Sequence, residues 1–572
     1  MKTSRFLIPF LGVIFSSLLS FAQPLSGSYT IDAGSPSSAT NFQSFNALSN
    51  ALSTFGVSGP VLVTVEPGSG PYREKVVFSN ISGIGASNPV LITGNGETIS
   101  DTTSSTNRHI IRLSNLTHFN IDHLRVAWDS ASSGGFYGIH IFGSGSDITI
   151  SNCDIDISGT TSTLYGSIVA SGSETSILET GNFHRLTIVN NTTVGGGYGV
   201  SVFGLLGNLA SDILISENRI YDYHSNGVYL RETDGAIISY NEIDKRTSNV
   251  TSANAIQIAQ NANVNASIYG NFIKVSQRNN GTMTLRGIYL FNGTGHKVYN
   301  NVIHDIGLTS GNFTAIDVRT AGSAPKIWFN TISMDYNDPN SGNMYGIREE
   351  LSNTNSELRN NMISITQPGT GVRSGLALGS TSTVTSAFNS NYNNIYVPSG
   401  NVAVKSATPT VMYPTLSDWK TASTQDANSL SLDPMFVSVS NPVPTNLAMD
   451  NMGISIPDVT EDVLFNTRSP QPDIGAYEFT GVGIAGSIRK DELNVYPNPA
   501  DEEIFINVSN DFRSGFSAEI FDTKGKMILS EMFVSPDETI RLKISELNSG
   551  IYLIKLRSGN RVSSGSFIKT AN

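Results

Sequence analysis

The sequence predicts an all-β chain: a parallel β-helix solenoid with a short N-terminal capping helix, followed by a small C-terminal β-sandwich. Three observations predict it. A motif, apolar-x-apolar-x-x-Asn-x-apolar, recurs through the middle of the 572 residues. A second motif, Gly/Ala-apolar-x-apolar, runs in step with it. The last eighty or so residues change composition and break into short alternating runs.

The first motif places Asn218, Asn241, Asn271, Asn301, Asn330 and Asn361 in one slot, with Cys153 and Asn191 before them and Asn391 after. The steps from 153 to 391 are 38, 27, 23, 30, 30, 29, 31 and 30 residues. The second motif starts at Gly138, Gly199, Gly227, Ala255, Gly287, Ala315, Gly346 and Gly375, with a weaker copy at Gly166. A fixed period of roughly 20–50 residues marks a repeat architecture. Two or three short strands per period, with no helical spacing between them, fit one coil of a parallel β-helix. The leucine-rich frame is absent, and propeller blades need four strands per repeat. The slot asparagine is expected at a tight corner, its amide bonded to backbone and to the next Asn along the stack. Cys153 in that slot reads as a small buried residue, not a nucleophile.

Composition narrows the function classes. Apolar residues make up 39% and charged residues 14%, which argues against disorder. The formal charge of −12 argues against a nucleic-acid binder. One cysteine excludes an internal disulfide, a thiolate zinc cluster and a CxxC pair. The eight His lack metal spacing, and no P-loop or dinucleotide fingerprint occurs, so no metal and no cofactor are expected.

Residues 1–22 read as a signal peptide: Lys2 and Arg5, an apolar run from Phe6 to Leu19, then Ser20-Phe21-Ala22 with cleavage after Ala22. The run is shorter than the ~20 residues that span a bilayer, so no transmembrane segment is expected after cleavage. Loss of Lys2 and Arg5 takes the charge to −14. The solenoid is assigned to residues 23–480. At its start, Phe42, Phe45, Leu48, Leu52 and Phe55 repeat at helical spacing after Asn41, a candidate N-cap. A helix there would plug the open end of the coil.

Two segments carry a fold resemblance. Pro60-Val-Leu-Val-Thr-Val65, Pro67-Gly68, Tyr72-Arg-Glu74 and Lys75-Val-Val-Phe78 resemble the entry coils of the pectin-lyase-like superfamily. Pro472-Asp-Ile-Gly-Ala-Tyr-Glu478 resembles the closing segment of secreted β-helix proteins. The resemblance, with the usual sense of parallel crossovers, implies a right-handed helix.

A small-residue linker, 481–490, leads into 491–572. From Lys490 onward 22 of 83 residues are charged, about twice the density of the solenoid. The runs Leu493–Tyr496, Ile504–Val508, Ala518–Phe521, Met527–Leu529, Ile540–Ile544 and Ile551–Lys555, separated by turn signals, predict a β-sandwich. Leu493-Asn-Val-Tyr-Pro-Asn-Pro499, Ile520-Phe-Asp-Thr-Lys-Gly-Lys526 and Leu547-Asn-Ser-Gly-Ile-Tyr-Leu-Ile-Lys-Leu556 resemble the type A C-terminal sorting domain of type IX secretion cargo in the Bacteroidota. That resemblance implies the type IX machinery as partner, and a secreted or cell-surface location.

Side chains on a strand alternate in and out. With the first and third residues after Gly/Ala inward, the second form an outward row: His140, Ile168, Ser201, Tyr229, Gln257, Tyr289, Asp317, Arg348. The fourth form another: Phe142, Ala170, Phe203, Arg231, Ala259, Phe291, Arg319, Glu350. Aromatic rings stack on sugar faces, and Arg and carboxylates bind hydroxyls or uronates. Tyr229, Arg231, Tyr289, Phe291, Asp317, Arg319, Arg348 and Glu350 are therefore the candidate residues for binding a polysaccharide, directly or as an adhesin. Tyr269, Tyr299, Trp328 and Arg359 form a rival row. A polysaccharide lyase or glycoside hydrolase is the alternative, with no catalytic residue assigned. Asp317 and Glu350 each have an Arg neighbour and would stay ionised, which suits a general acid poorly.

Overall fold

The computed structural model describes residues 23–479, 493 and 495–570, apart from 159–161, 247–251, 260–262, 280–282, 320–323, 351–354, 509–515, 522–526, 534–538 and 559–560. The signal segment with Ala22, the linker 481–490 and part of the 520–526 motif lie outside the described residues.

Most coils of the solenoid have three strands, and stacking them makes three parallel sheets, the first two joined through the long strand Phe136–Ser151. The first carries the Gly/Ala motif, as in Thr284–Leu290, Asn312–Val318 and Met344–Glu349. The second precedes the Asn corner, as in Lys297–Tyr299, Lys326–Trp328 and Ser356–Arg359. The third follows it, as in Val302–Leu308, Thr331–Met334 and Met362–Ile365. This third sheet has twelve strands, one per turn. Register keeps like above like: Ile288, Ile316 and Ile347 stack in the first sheet, and Ile303, Ile332 and Ile363 in the third. All six are fully buried, so the interior is a column of aliphatic ladders.

The Gly/Ala slot has a steric cause. A Cβ built on Gly287 meets the carbonyl oxygen of Ala315, one coil on, at 2.5 Å; one on Gly346 meets that of Gly375 at 2.5 Å. At these two glycines even a methyl would force the next coil's backbone to move, and no coil carries more than the methyl of Ala255 or Ala315 in the slot.

Helix α1 (Phe45–Phe55) buries Phe45, Leu48 and Leu52 in the same core as the coils. Its N-cap is Ser44, whose hydroxyl accepts from the Ala47 amide, and not Asn41, which sits in a two-residue strand paired to Thr30. Glu74 completes the cap, its carboxylate accepting from the amides of Phe45 (2.9 Å) and Asn46 (3.0 Å). A second helix, α2 (Leu416–Ser423), was not foreseen from sequence. It contributes the buried Trp419, whose indole donates to Asp426 (2.8 Å), to the other end of the core.

Residues 430–479 then run back along the outside as an irregular strap. The residue before each slot Asn has a left-handed backbone, and at two of these positions, Asn300 and Asn360, the side-chain amide holds the strap. Asn360 bonds both the carbonyl (2.7 Å) and the amide (2.9 Å) of Ile454, and Asn300 donates to the Glu461 carbonyl (2.8 Å). The 472–478 motif is part of this strap, with Ile474, Ala476 and Tyr477 buried.

Within the strap, Asp473 accepts from the amides of Asn451 and Phe479, both at 2.6 Å, and burial pushes its carboxyl up to about 7. Glu478 and Asp450 add repulsion. A carboxyl raised above its unfolded value of 3.8 favours the folded state below that value, and the benefit is lost as pH rises through about 7. Asp473→Asn should therefore gain on the wild type at pH 8 relative to pH 4. Thermal midpoints of both proteins check this, and parallel pH profiles would refute it.

The strands of the C-terminal unit pair antiparallel, with one isolated parallel bridge between Ala500 and Lys569. Strands Val495–Tyr496, Glu503–Asn507 and Thr539–Lys543 form one sheet. Strands Phe516–Phe521, Met527–Phe533, Gly550–Ser558 and Arg561–Lys569 form the other. The six strands read from sequence are present, and Arg561–Lys569 is a seventh. Ile504, Ile520, Leu542, Ile554 and Phe567 are among the residues of its own core.

Candidate functional site

The corner asparagines form a continuous side-chain ladder. Asn301 is representative: Nδ2 donates to the Ile268 carbonyl (2.9 Å) and to Asn330 Oδ1 (3.0 Å), while its Oδ1 accepts from the amide (3.1 Å) and Nδ2 (2.9 Å) of Asn271. The same pattern links Asn191, Asn218, Asn241, Asn271, Asn330 and Asn361. Cys153 opens the ladder: its amide donates to Asn191 Oδ1 (2.9 Å), and burial pushes its thiol up to about 12. Asn391 is not in the ladder. Asn393 accepts from the Asn361 amide (2.9 Å) and Nδ2 (3.0 Å), because this coil is two residues longer than the even period implies.

The outward rows assemble on the first sheet. Tyr229, Gln257, Tyr289, Asp317 and Arg348 occupy one register position on successive coils. The Gly166 copy is shifted by one: Val169 lies beside His140, and Ile168 and Ala170 point inward, because Ile139 pairs with Ile168. A third outward row escaped the sequence reading. The chain bends at the Gly/Ala slot, so the alternation restarts there and the residue before it also faces out. This row brings Asn226, Asn254, Arg286, Thr314 and Tyr345 alongside the others. The signal was available: that position is polar or aromatic in each of these five coils.

The candidate residues fall into two groups. In the first, Tyr229 stacks on Phe203 (5.3 Å) and meets Tyr198 edge-on (5.6 Å), and Arg231 covers Phe203 (5.5 Å). In the second, Asp317 is fully buried and holds two guanidinium groups: Arg286 Nε at 2.5 Å, and Arg348 through Nε (2.9 Å) and a terminal nitrogen (2.6 Å). Arg319 approaches Glu350 at 3.4 Å, and Arg348 approaches it at 3.9 Å. Asn254 and Gln257, bonded at 2.9 Å, lie between the two groups.

The rings are not an open platform. Tyr289 is only 6% exposed. Arg286 lies over its face at 4.4 Å, Phe291 meets it edge-on at 5.6 Å, and Arg319 lies over Phe291 at 5.1 Å. The aromatic faces are taken up by neighbouring guanidinium groups, which gain cation–π attraction by covering them. What remains accessible is charge: the Arg319 side chain is 43% exposed, and Arg348 and Glu350 are partly exposed.

The rival row is partly covered, with Trp328 alone buried. Tyr269 and Tyr299 stack on each other (4.8 Å, 9°), and Trp328 is 3% exposed beneath Ile456 and Val459 of the strap. Arg359 donates to Asn389 (2.8 Å).

No curated protein matches the chain by sequence. Among solved structures, the pectate lyase Pel9A is 12% identical, with 80% of this chain and 98% of that one covered and a TM-score of 0.38. PfbA, a surface adhesin of Streptococcus pneumoniae, is 12% identical over 68% and 94%, with a TM-score of 0.35. The GH136 lacto-N-biosidase from Eubacterium ramulus is 11% identical over 62% and 67%, with a TM-score of 0.36. Residues 494–570 match the family of secretion system C-terminal sorting domains. The chain thus ends in a type IX sorting domain, which marks it for export to the cell surface or the medium.

Proposed function

We propose that the solenoid is a binding module for anionic polysaccharide, acting at the cell surface or after release, and that the arginine group of the first sheet is its contact. One observation carries the reading. Three successive coils supply Arg286, Arg319 and Arg348 around only two carboxylates, Asp317 and Glu350, in an otherwise acidic chain. Coils repeat at about 4.8 Å, so the guanidinium groups form a short cationic track. A planar guanidinium suits the paired oxygens of a uronate or a sulfate. The net charge opposes an anionic ligand at long range, but screening at physiological salt acts within ~8 Å, so the local arginines govern contact.

The test is a glycan array probed with the purified chain, followed by isotherms for Arg319→Ala. The variant should bind acidic glycans several-fold more weakly and leave the thermal midpoint in place. Equal binding of acidic and neutral glycans, or no binding, would refute the reading. An ultraviolet signal from unsaturated uronates in the same samples would support the lyase alternative instead.

Export has its own test. A chain truncated before Lys490 should stay in the periplasm, because it lacks the sorting domain; fractionation that finds it in the medium at normal yield would contradict this.

A further inference from the structure

The strap forms a cleft away from the arginine group. Residues Ser440–Val443, Leu464 and Tyr477 of the strap close over the third sheet beside Glu242, Phe272, Lys274 and His304, leaving a cleft of about 400 Å³. That volume falls within the usual range for small-ligand pockets. Its position follows from the outer rows of the third sheet. After the corner the outward residues run Arg219, Glu242, Phe272, Val302, Thr331, Met362. Those from Val302 on are buried beneath the strap, while Glu242 is charged and partly open. The cleft lies where the covered apolar rows give way to uncovered polar ones.

Its polar groups are few and differ in kind. Lys274 Nζ donates to Glu242 Oε1 (2.6 Å), and the Tyr221 hydroxyl donates to Glu242 Oε2 (3.1 Å). His304 lies one coil from Lys274 in the same row. It is 6% exposed, and its Nδ1 faces the Val439 carbonyl at 3.3 Å. A carbonyl only accepts, so Nδ1 carries the proton. Burial lowers the ring's pKa to about 4, so at neutral pH Nε2 is an unprotonated acceptor. Nε2 has no hydrogen-bond partner among the described residues. Phe272 and Tyr477 supply aromatic wall, and Val443 and Leu464 aliphatic wall.

We infer that this cleft binds the ring of a neutral sugar, with His304 and Glu242 accepting from its hydroxyls, Lys274 donating to one, and its apolar face against Phe272. The Glu242 and Lys274 charges cancel within 2.6 Å, so the lining offers no net attraction to an acid. An unpartnered acceptor on the wall of a cleft suits a hydroxyl donor, and a pyranose combines adjacent hydroxyls with an apolar face. The site is distinct from the arginine track in both place and ligand charge.

The test uses the purified full chain and ligand-observed NMR with the methyl glycosides of glucose, galactose, mannose and N-acetylglucosamine, with methyl glucuronoside as the acidic comparison. At least one neutral glycoside should bind with a Kd of about 1 mM. His304→Gln and Lys274→Met should each weaken that binding about tenfold, while Arg319→Ala leaves it unchanged. A variant that lowers the thermal midpoint is replaced by Phe272→Leu, which keeps the apolar contact with the strap and removes only the ring. Binding of the glucuronoside alone, loss of binding in Arg319→Ala, unaltered binding in His304→Gln, Lys274→Met or Phe272→Leu, or no neutral glycoside bound at tens of millimolar would each overturn the inference.

Discussion

Asn301→Leu should destabilise the solenoid by about 3 kcal/mol, read as a fall in the thermal midpoint. Leucine has nearly the shape of asparagine, so the loss is not one of packing. It removes the acceptor of the Asn271 amide and Nδ2, and the donor to the Ile268 and Tyr299 carbonyls. These groups lie inside the column, where a stranded polar group costs about 1–3 kcal/mol. The effect should exceed one bond, because the ladder runs unbroken from Asn191 to Asn393 and a gap uncouples its halves. Asn393→Leu should cost a similar amount, since Asn393 Nδ2 donates to the Leu358 carbonyl (3.1 Å) and its Oδ1 accepts from Asn361. Asn391→Leu should change stability little, because that side chain serves only loop amides, those of Tyr392 and Asn428. Equal midpoints for wild type and Asn301→Leu would mean that the ladder contributes no stability. A large loss in Asn391→Leu with none in Asn393→Leu would move the corner.

Asp317→Leu should be the second large effect. The carboxylate is fully buried between Arg286 and Arg348, and the two guanidinium groups come from coils on either side of it. Removing one partner of a buried pair typically costs about 3–5 kcal/mol. Both arginines keep some solvent contact, so we expect about 2–3 kcal/mol here. Without the carboxylate the arginines repel each other and leave Tyr289 uncovered. Affinity for acidic glycans should therefore change along with stability, whereas Asn301→Leu should affect stability alone. Denaturation midpoints and isotherms on one preparation separate the two, and an Asp317→Leu protein as stable as wild type would show that Asp317 is not needed to hold the arginines.

The part of the fold legible in the sequence is the part governed by repetition. Coil after coil must put an aliphatic residue above an aliphatic residue, a small residue at the bend and an amide at the corner, so these constraints recur in the chain at nearly constant spacing. The sorting sandwich was legible for a related reason: alternation with turn residues determines short antiparallel strands locally. The reading failed where a coil departed from the period. Asn391 for Asn393 is a two-residue insertion that an even spacing cannot register, and the Gly166 copy slipped by one residue. The row containing Arg286 and Tyr345 was missed because the bend at the small residue resets the in–out alternation, and strict parity carries no such reset.

The candidate site depended on contacts that no single coil encodes. Tyr289 is outward by parity, as the sequence indicates, but Arg286 and Phe291 cover it. Trp328 is outward by parity as well, yet the strap, more than a hundred residues later in the chain, buries it. The sequence by itself determined the solenoid, its capping helix, the corner ladder and the export domain, because each rests on local pattern or on near neighbours in a repeat. Only the tertiary structure decided which outward residues remain in contact with water. Exposure is a property of everything packed on a surface, and here the strap and the arginine side chains reach that surface from other coils and from the far end of the chain.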